Sequence, residues 1–297
     1  MPTSEGRPVN ALDGGPSPLV ESGAPDTAVH RALRDELAQA RRRRGREPVR
    51  VLDVGGGSGA WAVPLAVEGY NVTVVDTSPD ALAALSGRAR EAGVSTRISA
   101  VQGDAQSLTD SVPAGGADVV LGHGLLEVVD DVAATVGQLA AATASGGAVS
   151  ALVAGRHGAA LAQAHAGRLA QARAVLVDPA GRAGPNDPLQ RRLSLAAVRG
   201  LLESAAGLSI ELVLGDGVFE GWLPAAVLEA DPDGSDGLAE LESIVAATPE
   251  LLVLAARLHV LARRPDPDLE PGGERGAATS SGERWAPPGE LPHQPYG

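Results

Sequence analysis

Between residues 27 and 264, short apolar runs alternate with longer stretches of helical period. Asp26-Thr27 is placed to cap a helix that runs through Ala38 into Arg41–Arg44, whose positive charge suits a helix C-terminus. Val49–Val54 then reads as a strand bounded by Pro48 and Gly55, and Ala60–Glu68 as a helix stopped by Gly69. Val72–Val75 is a second strand ending at Asp76, and Ser78-Pro79 opens the next helix in the favoured cap-then-proline order. Arg97–Gln102, Ala117–Leu121 and Ala148–Val153 read as further strands, with a helix over Val132–Ala144 before the last of them. Continuous apolar strands separated by helices predict a parallel sheet covered on both faces, a doubly wound α/β fold. Further on, an Ala-rich helix over Gly158–Ala174 interrupts the alternation. A helix capped by Ser194 runs to Ala206, Leu208–Leu214 and LHVLARR near Leu254–Ala262 are strand-like, and Asp231–Gly237 reads as a loop. Two late strands joined by helical material predict a seven-stranded, mostly parallel sheet with a reversed edge strand.

Composition bounds this picture. The 297 residues allow one large domain or two small ones. Residues 1–26 hold five Pro and four Gly, and residues 265–297 seven Pro and six Gly, with no apolar period in either. Both are expected to be disordered tails around one domain at 27–264. Aromatics make up 2% of the chain, so Ala, Val and Leu must build the core. With no Cys, disulfides, thiolate zinc sites, iron–sulfur clusters and a Cys nucleophile are excluded. No apolar stretch is long enough to span a membrane and the N-terminus does not read as a signal peptide, so a cytoplasmic protein is expected.

The net charge of −13 is uneven. Residues 28–48 carry 7 Arg against 3 acids and residues 151–200 carry 7 against 2, whereas 49–150 and 201–264 each carry 11 acids. Overall acidity argues against binding nucleic acid across the whole surface but leaves room for a local anion site.

The strongest local signal is VLDVGGGSGAWA, Val51–Ala62, in which a strand runs into glycines and then a helix. Without Cβ atoms, Gly55, Gly57 and Gly59 let backbone approach a ligand, and the helix N-terminus presents free N–H groups. The spacing fits both the GxGxG loop of methyltransferases and the dinucleotide fingerprint with its permitted Ala60. Both expect an acid for ribose hydroxyls at the end of the second strand, where Asp76 stands. Three features separate them. Asp53 lies at the first strand's end, where a carboxylate suits the amino-acid part of S-adenosylmethionine (SAM) better than a pyrophosphate. QGDA, Gln102–Ala105, places Asp104 where an adenine amino group can donate. DVVLGHGLLEVVDD, Asp118–Asp131, runs from the fourth strand into a loop able to close over the cofactor.

On these residues the chain resembles class I SAM-dependent methyltransferases. More narrowly it resembles the bacterial family that methylates the carboxymethoxy group of a modified wobble uridine in tRNA. The narrower likeness rests on VLDVGGGSG, HGLLEVVDD, His157-Gly158, PNDPLQ (Pro185–Gln190) with the helix after it, DGVFEGWL (Asp216–Leu223) and the closing LAELESIVAATPELLVLAARLHVLARRP. It covers roughly 27–264. The resemblance implies that Gly55 and Gly56 touch the cofactor through backbone and that Asp76 binds the ribose. It further implies that Ala105 contacts the adenine beside Asp104, that His123 lines the cofactor pocket, and that an Arg of the leading helix, Arg31 or Arg34, meets the cofactor carboxylate.

If the acceptor is a carboxylate it is ionised at pH 7 and needs no base. Residues 151–200 are expected to overhang the methyl group, with one or two of Arg156, Arg182, Arg191 and Arg192 orienting a small or locally presented anionic acceptor; tRNA is the alternative that the resemblance implies. A phenol or amine would call on His123, His157 or Glu127 as base. Glu127 otherwise reads as a local cap, and His157 with His165 does not make a metal site. A non-catalytic SAM-binding protein on the same fold and an NAD(P)-dependent oxidoreductase complete the alternatives.

Overall fold

A computed structural model describes residues 27–220, 223 and 234–266. The expected tails fall outside these residues except for Pro265 and Asp266, and Asp266 accepts a hydrogen bond from Ser145 Oγ at 3.0 Å. Thr27 caps α1 (Ala28–Arg44), its hydroxyl accepting from the His30 N–H, and the four arginines close the last turn. The chain continues through β1 (Arg50–Val54), α2 (Ala62–Val67), β2 (Asn71–Asp76), α3 (Pro79–Glu91), β3 (Ile98–Gln102), β4 (Ala117–His123), α4 (Val132–Ala142) and β5 (Thr143–Ala154). Asp104 caps a short 3-10 turn, Ala105–Asp110, between β3 and β4. After β5 come α5 (Arg156–His165), α6 (Leu169–Val177), α7 (Leu195–Gly200), β6 (Ser209–Asp216), α8 (Gly234–Val245) and β7 (Arg257–Arg263).

The seven strands form one sheet in the order β3-β2-β1-β4-β5-β7-β6. The first five are parallel; β7 is antiparallel to both β5 and β6. The reversal lies at the predicted end of the sheet, carried by β7 one position in from β6. Alternate residues of each strand serve the two faces. Val51, Val72, Val74, Val119 and Leu121 pack with Leu33 and Leu37 of α1 and Leu85 of α3. Leu52, Val54, Val120, Val149 and Val260 pack on the other side with Leu139 of α4, Val198 of α7 and Leu202. Burial on both faces is what the uninterrupted apolar runs require.

Three elements differ from the sequence reading. The Ala-rich stretch is two helices, because the chain leaves α5 at Gly167, whose φ of +73° ends a helix that side chains alone would continue. The helix after Ser194 widens into a π-turn over Leu201–Ala205. Of the expected loop Asp231–Gly237, residues 231–233 lie outside the described residues and Gly234 onward is already helical. Asp236 there sits in a first turn, where a negative charge favours the helix end. Among the described residues no helix is long and apolar enough to cross a membrane.

Strand order reverses between β1 and β4: the chain winds outward from β1 to β3, then returns to lay β4 on the other side of β1. In such sheets ligands sit beyond the carboxyl ends of the strands at this point.

Candidate functional site

The glycine loop leaves β1 at that crevice. Gly55 donates to Val75 O at 2.7 Å and Gly59 to Gly56 O at 2.9 Å, which turns the loop back over the sheet. Gly57 has φ +54°, and a Cβ there would meet only Asp76 Oδ2, at 3.9 Å; space lies open beyond it. Gly56 differs, because a Cβ would come within 2.5 Å of Asp53 Oδ2 and 2.9 Å of Val74 Cγ1. The loop therefore rests directly on the Asp53 carboxyl. Gly55 packs against Leu125 and Gly59 against Leu85, which ties the loop to the segment after β4 and to α3.

Asp76 is the latch of this loop. Its Oδ2 accepts from Gly57 N–H at 2.9 Å and its Oδ1 from Ser78 N–H at 2.8 Å, so one carboxylate joins the loop to the start of α3. Each oxygen keeps a lone pair for a further donor. Asp53 is 2% exposed, and its Oδ2 has no hydrogen-bond partner among the described residues. Burial, and secondarily the charge of Asp76, push its carboxyl up to about 7. Asp104 is exposed and accepts from Gln106 N–H at 2.9 Å beside buried Ala105; Gly103 N–H donates to Asp76 O, which seats this turn next to the end of β2.

Asp53 makes stability depend on pH. The unfolded chain releases this proton near 3.8, whereas the folded chain holds it to about 7, so the folded state binds the extra proton over that window. This group's contribution therefore falls as pH rises through the window and is flat above it, a cost of up to about 4 kcal/mol at alkaline pH. Asp53→Asn is expected to raise the melting temperature of the ligand-free protein at pH 8 and to leave it nearly unchanged at pH 4. Equal effects at both pH values would refute the buried, protonated carboxyl.

Beyond the β4 end lies a cavity. Thr27 and His30 of α1, Trp61 after the loop, His123, Glu127, Leu152 at the end of β5, and the pair Asp216–Arg257 all line it. Trp61 bridges two rings, at 4.9 Å from His30 and edge-on at 4.4 Å from His123. Burial holds His123 well below the usual histidine range, and His259, His30 and Arg257 act in the same direction. Its Nε2 is 2.8 Å from Ser150 Oγ, which lies 2.8 Å from His259 Nε2. Glu127 Oε1 accepts from Ala154 N–H at 2.5 Å, while Oε2 is buried with no hydrogen-bond partner among the described residues. Burial raises the Glu127 carboxyl despite that bond. Arg257 Nε donates to Asp216 Oδ2 at 2.5 Å.

Several sequence candidates lie elsewhere. Arg31 donates to Ser243 Oγ on α8 at 2.7 Å, and Arg34 reaches Glu68 at 3.4 Å. His30, not Arg31, lines the cavity, and one residue on a helix turns the side chain by about 100°. The insertion arginines are engaged within the fold. Arg156 donates to the carbonyls of Val175, Leu176, Asp178 and Pro179, and Arg191 to those of Leu126, Val129 and Asp130. Arg192 grips half-buried Asp187 with two nitrogens, and Arg182 donates to Pro185 O. Sequence reasoning did not select Trp61, Ser150, Asp216, Arg257 or His259. Trp61 carried a signal, one of three tryptophans in the chain and directly after the glycine loop; the others became visible only through strand order.

A family model described as a methyltransferase domain matches residues 26–183, more than half of the chain. The chain belongs to this methyltransferase-domain family. With the seven-stranded sheet and the loop at the switch point, it is a class I SAM-dependent methyltransferase, and SAM is its cofactor. Among solved structures, a SAM-dependent methyltransferase of Methanosarcina mazei is 14% identical, covering 76% of this chain and 96% of that one with a TM-score of 0.51, a likeness of fold. One from Mesorhizobium loti is 22% identical, covering 80% and 99% with a TM-score of 0.49. The magnesium protoporphyrin IX methyltransferase of Synechocystis, solved with bound S-adenosylhomocysteine (SAH), is 15% identical, covering 79% and 82% with a TM-score of 0.48. No curated protein matches this methyltransferase.

Proposed function

We propose that this methyltransferase methylates a small carboxylate-bearing acceptor seated in the cavity beyond β4, with Arg257 orienting the carboxylate. The placing of Arg257 carries this reading. Among the described residues it is the arginine that lines the cavity, and Asp216 holds it by Nε. Its two terminal nitrogens thus remain for a paired anionic oxygen contact, the geometry guanidinium suits best. The role expected of the 151–200 arginines passes to Arg257 in this reading, since Arg156, Arg182, Arg191 and Arg192 do not line the cavity.

The residues at the strand ends fit the cofactor. The carboxyl of Asp53 supports the loop from beneath, and the open side of Gly57 leaves room for a ligand against backbone. Asp76 would accept the ribose hydroxyls on its remaining lone pairs, and Asp104 with Ala105 would meet the adenine. Gly55, Gly56 and Gly59 shape the loop. Arg31 serves the cofactor carboxylate only by exchanging Ser243 for it. When bound, the cofactor supplies a methyl group on a sulfonium, open to in-line displacement. The chain's part is alignment, which can supply roughly 7–11 kcal/mol of the barrier. A carboxylate acceptor is already ionised and asks no base of Glu127 or His123.

A modified tRNA uridine is the second reading, favoured by the sequence resemblance and carrying the same carboxylate. The test uses Arg257→Met and Arg257→Lys with labelled SAM against separate pools of small carboxylic acids and total RNA, alongside SAH calorimetry. Label is expected in a small acid, with turnover lost by roughly 100-fold in Arg257→Met at near-normal SAH affinity, as expected for a charged pair worth about 1.5–3 kcal/mol. Undiminished turnover in both variants refutes the role of Arg257; label in RNA alone selects the tRNA reading.

A further inference from the structure

The sheet contains a polar chain that methyl transfer to a carboxylate does not call for. His123 on β4, Ser150 on β5 and His259 on β7 stand side by side on three adjacent strands, linked Nε2–Oγ–Nε2 by two contacts of 2.8 Å. Ser150 and His259 are fully buried, while His123 lines the cavity. The Nδ1 atoms of both rings are buried and lack a hydrogen-bond partner among the described residues.

Proton counting restricts this chain. Both rings are neutral, since burial holds His259 down to about 4 and His123 well below its usual range. A neutral imidazole carries one N–H and a hydroxyl one O–H. If both Nε2 atoms lacked a proton, Ser150 could serve only one, and the other contact would set lone pair against lone pair. If both carried one, Ser150 would accept twice and leave its own O–H without a receiver in the sheet. One ring therefore donates to Ser150 and the other accepts from it. The ring that accepts carries its proton on Nδ1, an N–H unpaired among the described residues. An unpaired N–H in a sealed interior is the rarer and costlier defect, whereas a bare ring nitrogen is better tolerated. His259 is sealed in the sheet throughout, whereas His123, although its Nδ1 is covered in the ligand-free protein, belongs to a ring that borders the cavity.

We propose that His259 donates through Nε2 to Ser150, that Ser150 donates to His123 Nε2, and that His123 is thereby held as an Nδ1–H donor toward a carboxylate oxygen of a bound ligand. His259 and Ser150 are positioning residues acting through His123. The chain makes His123 a donor toward an oxygen acceptor and removes it as a base, so an ammonium group facing it meets like against like. The inference rests on the proposed use of the cavity as a ligand site, but the tautomer is measurable without any acceptor.

The experiment is nitrogen NMR on the full chain with 15N-labelled histidine, with resonances assigned by substitution. In the ligand-free protein His123 is expected protonated at Nδ1 and His259 at Nε2. Ser150→Ala should turn His123 into a tautomer mixture; His259→Gln, which keeps an N–H at the ε position, should preserve the wild-type state, whereas His259→Phe should lose it. Three probes then locate the carboxylate: SAH, 5′-methylthioadenosine, which lacks the amino-acid part, and acetate. A shift of His123 Nδ1 with SAH but not with 5′-methylthioadenosine assigns the oxygen to the cofactor, and a shift with acetate assigns it to the acceptor. His123 protonated at Nε2, a tautomer indifferent to Ser150→Ala, or an Nδ1 signal unmoved by SAH and acetate alike overturns the proposal. If the tautomers are as expected while Arg257→Met keeps full turnover, the reading of Arg257 fails and this one stands.

Discussion

Asp76→Ala is expected to lower SAH affinity by 100-fold or more, roughly 2.7 kcal/mol, and to lower the stability of the ligand-free protein as well. The carboxylate accepts from Gly57 N–H and Ser78 N–H, and the alanine side chain has no acceptor to offer either donor. Each donor left unpaired costs about 1–3 kcal/mol, and the ribose hydroxyls assigned to Asp76 lose their acceptor in the same step. The loop would then be free to leave the conformation in which Gly57 faces open space. At about 2–4 °C per kcal/mol for a domain of this size, the melting temperature should fall by several degrees. Asp76→Asn separates the two effects: its amide oxygen keeps one backbone bond, so it should recover stability before affinity. Calorimetry with SAH on both variants decides, and wild-type-like affinity in Asp76→Ala would take Asp76 out of the cofactor site.

The largest effect on folding is expected at the sheet edge far from the glycine loop. Glu36 of α1 is fully buried, and Arg263 of β7 meets both its oxygens at 2.7 Å while Arg43 meets one. Arg263 also binds Glu211 of β6. Arg263→Met would leave a buried carboxylate with a single partner, a change that costs about 3–5 kcal/mol and should lower the melting temperature by roughly 6–20 °C. The double variant Arg263→Met with Glu36→Met removes the stranded charge and should recover much of the loss, because paired buried ions can be replaced by apolar residues at little net cost. Thermal unfolding of the three proteins checks this; a single variant melting within two or three degrees of wild type would refute it. Since α1 also brings Thr27 and His30 to the cavity, the single variant should weaken ligand binding through misplaced wall residues.

How far the sequence reaches is clearest when the two sites are compared. Asp53, Gly55–Gly59 and Asp76 could be read from the chain because strand, turn and helix follow one another within 25 residues and the loop's geometry is local. Periods of 2 and 3.6, glycine where φ is positive and caps where helices begin determined the sheet's parallel character, the position of the loop and the reversed strand near the end. The long side chains were another matter. Fourteen arginines stand in the two basic islands, yet among the described residues Arg257, outside both, is the arginine that lines the cavity. Arg156 and Arg191 instead gather loose carbonyls, as a guanidinium with five donors readily does in a cap built of short helices. Ser150 and His259 are 109 positions apart, and their hydrogen bond exists because β7 inserts antiparallel beside β5. Local geometry is written in neighbouring residues, so the sequence alone determined the fold class and the place of the glycine loop. Which buried polar groups meet depends on strand order and register, so only the tertiary structure decided the cavity, its arginine and the histidine chain behind it.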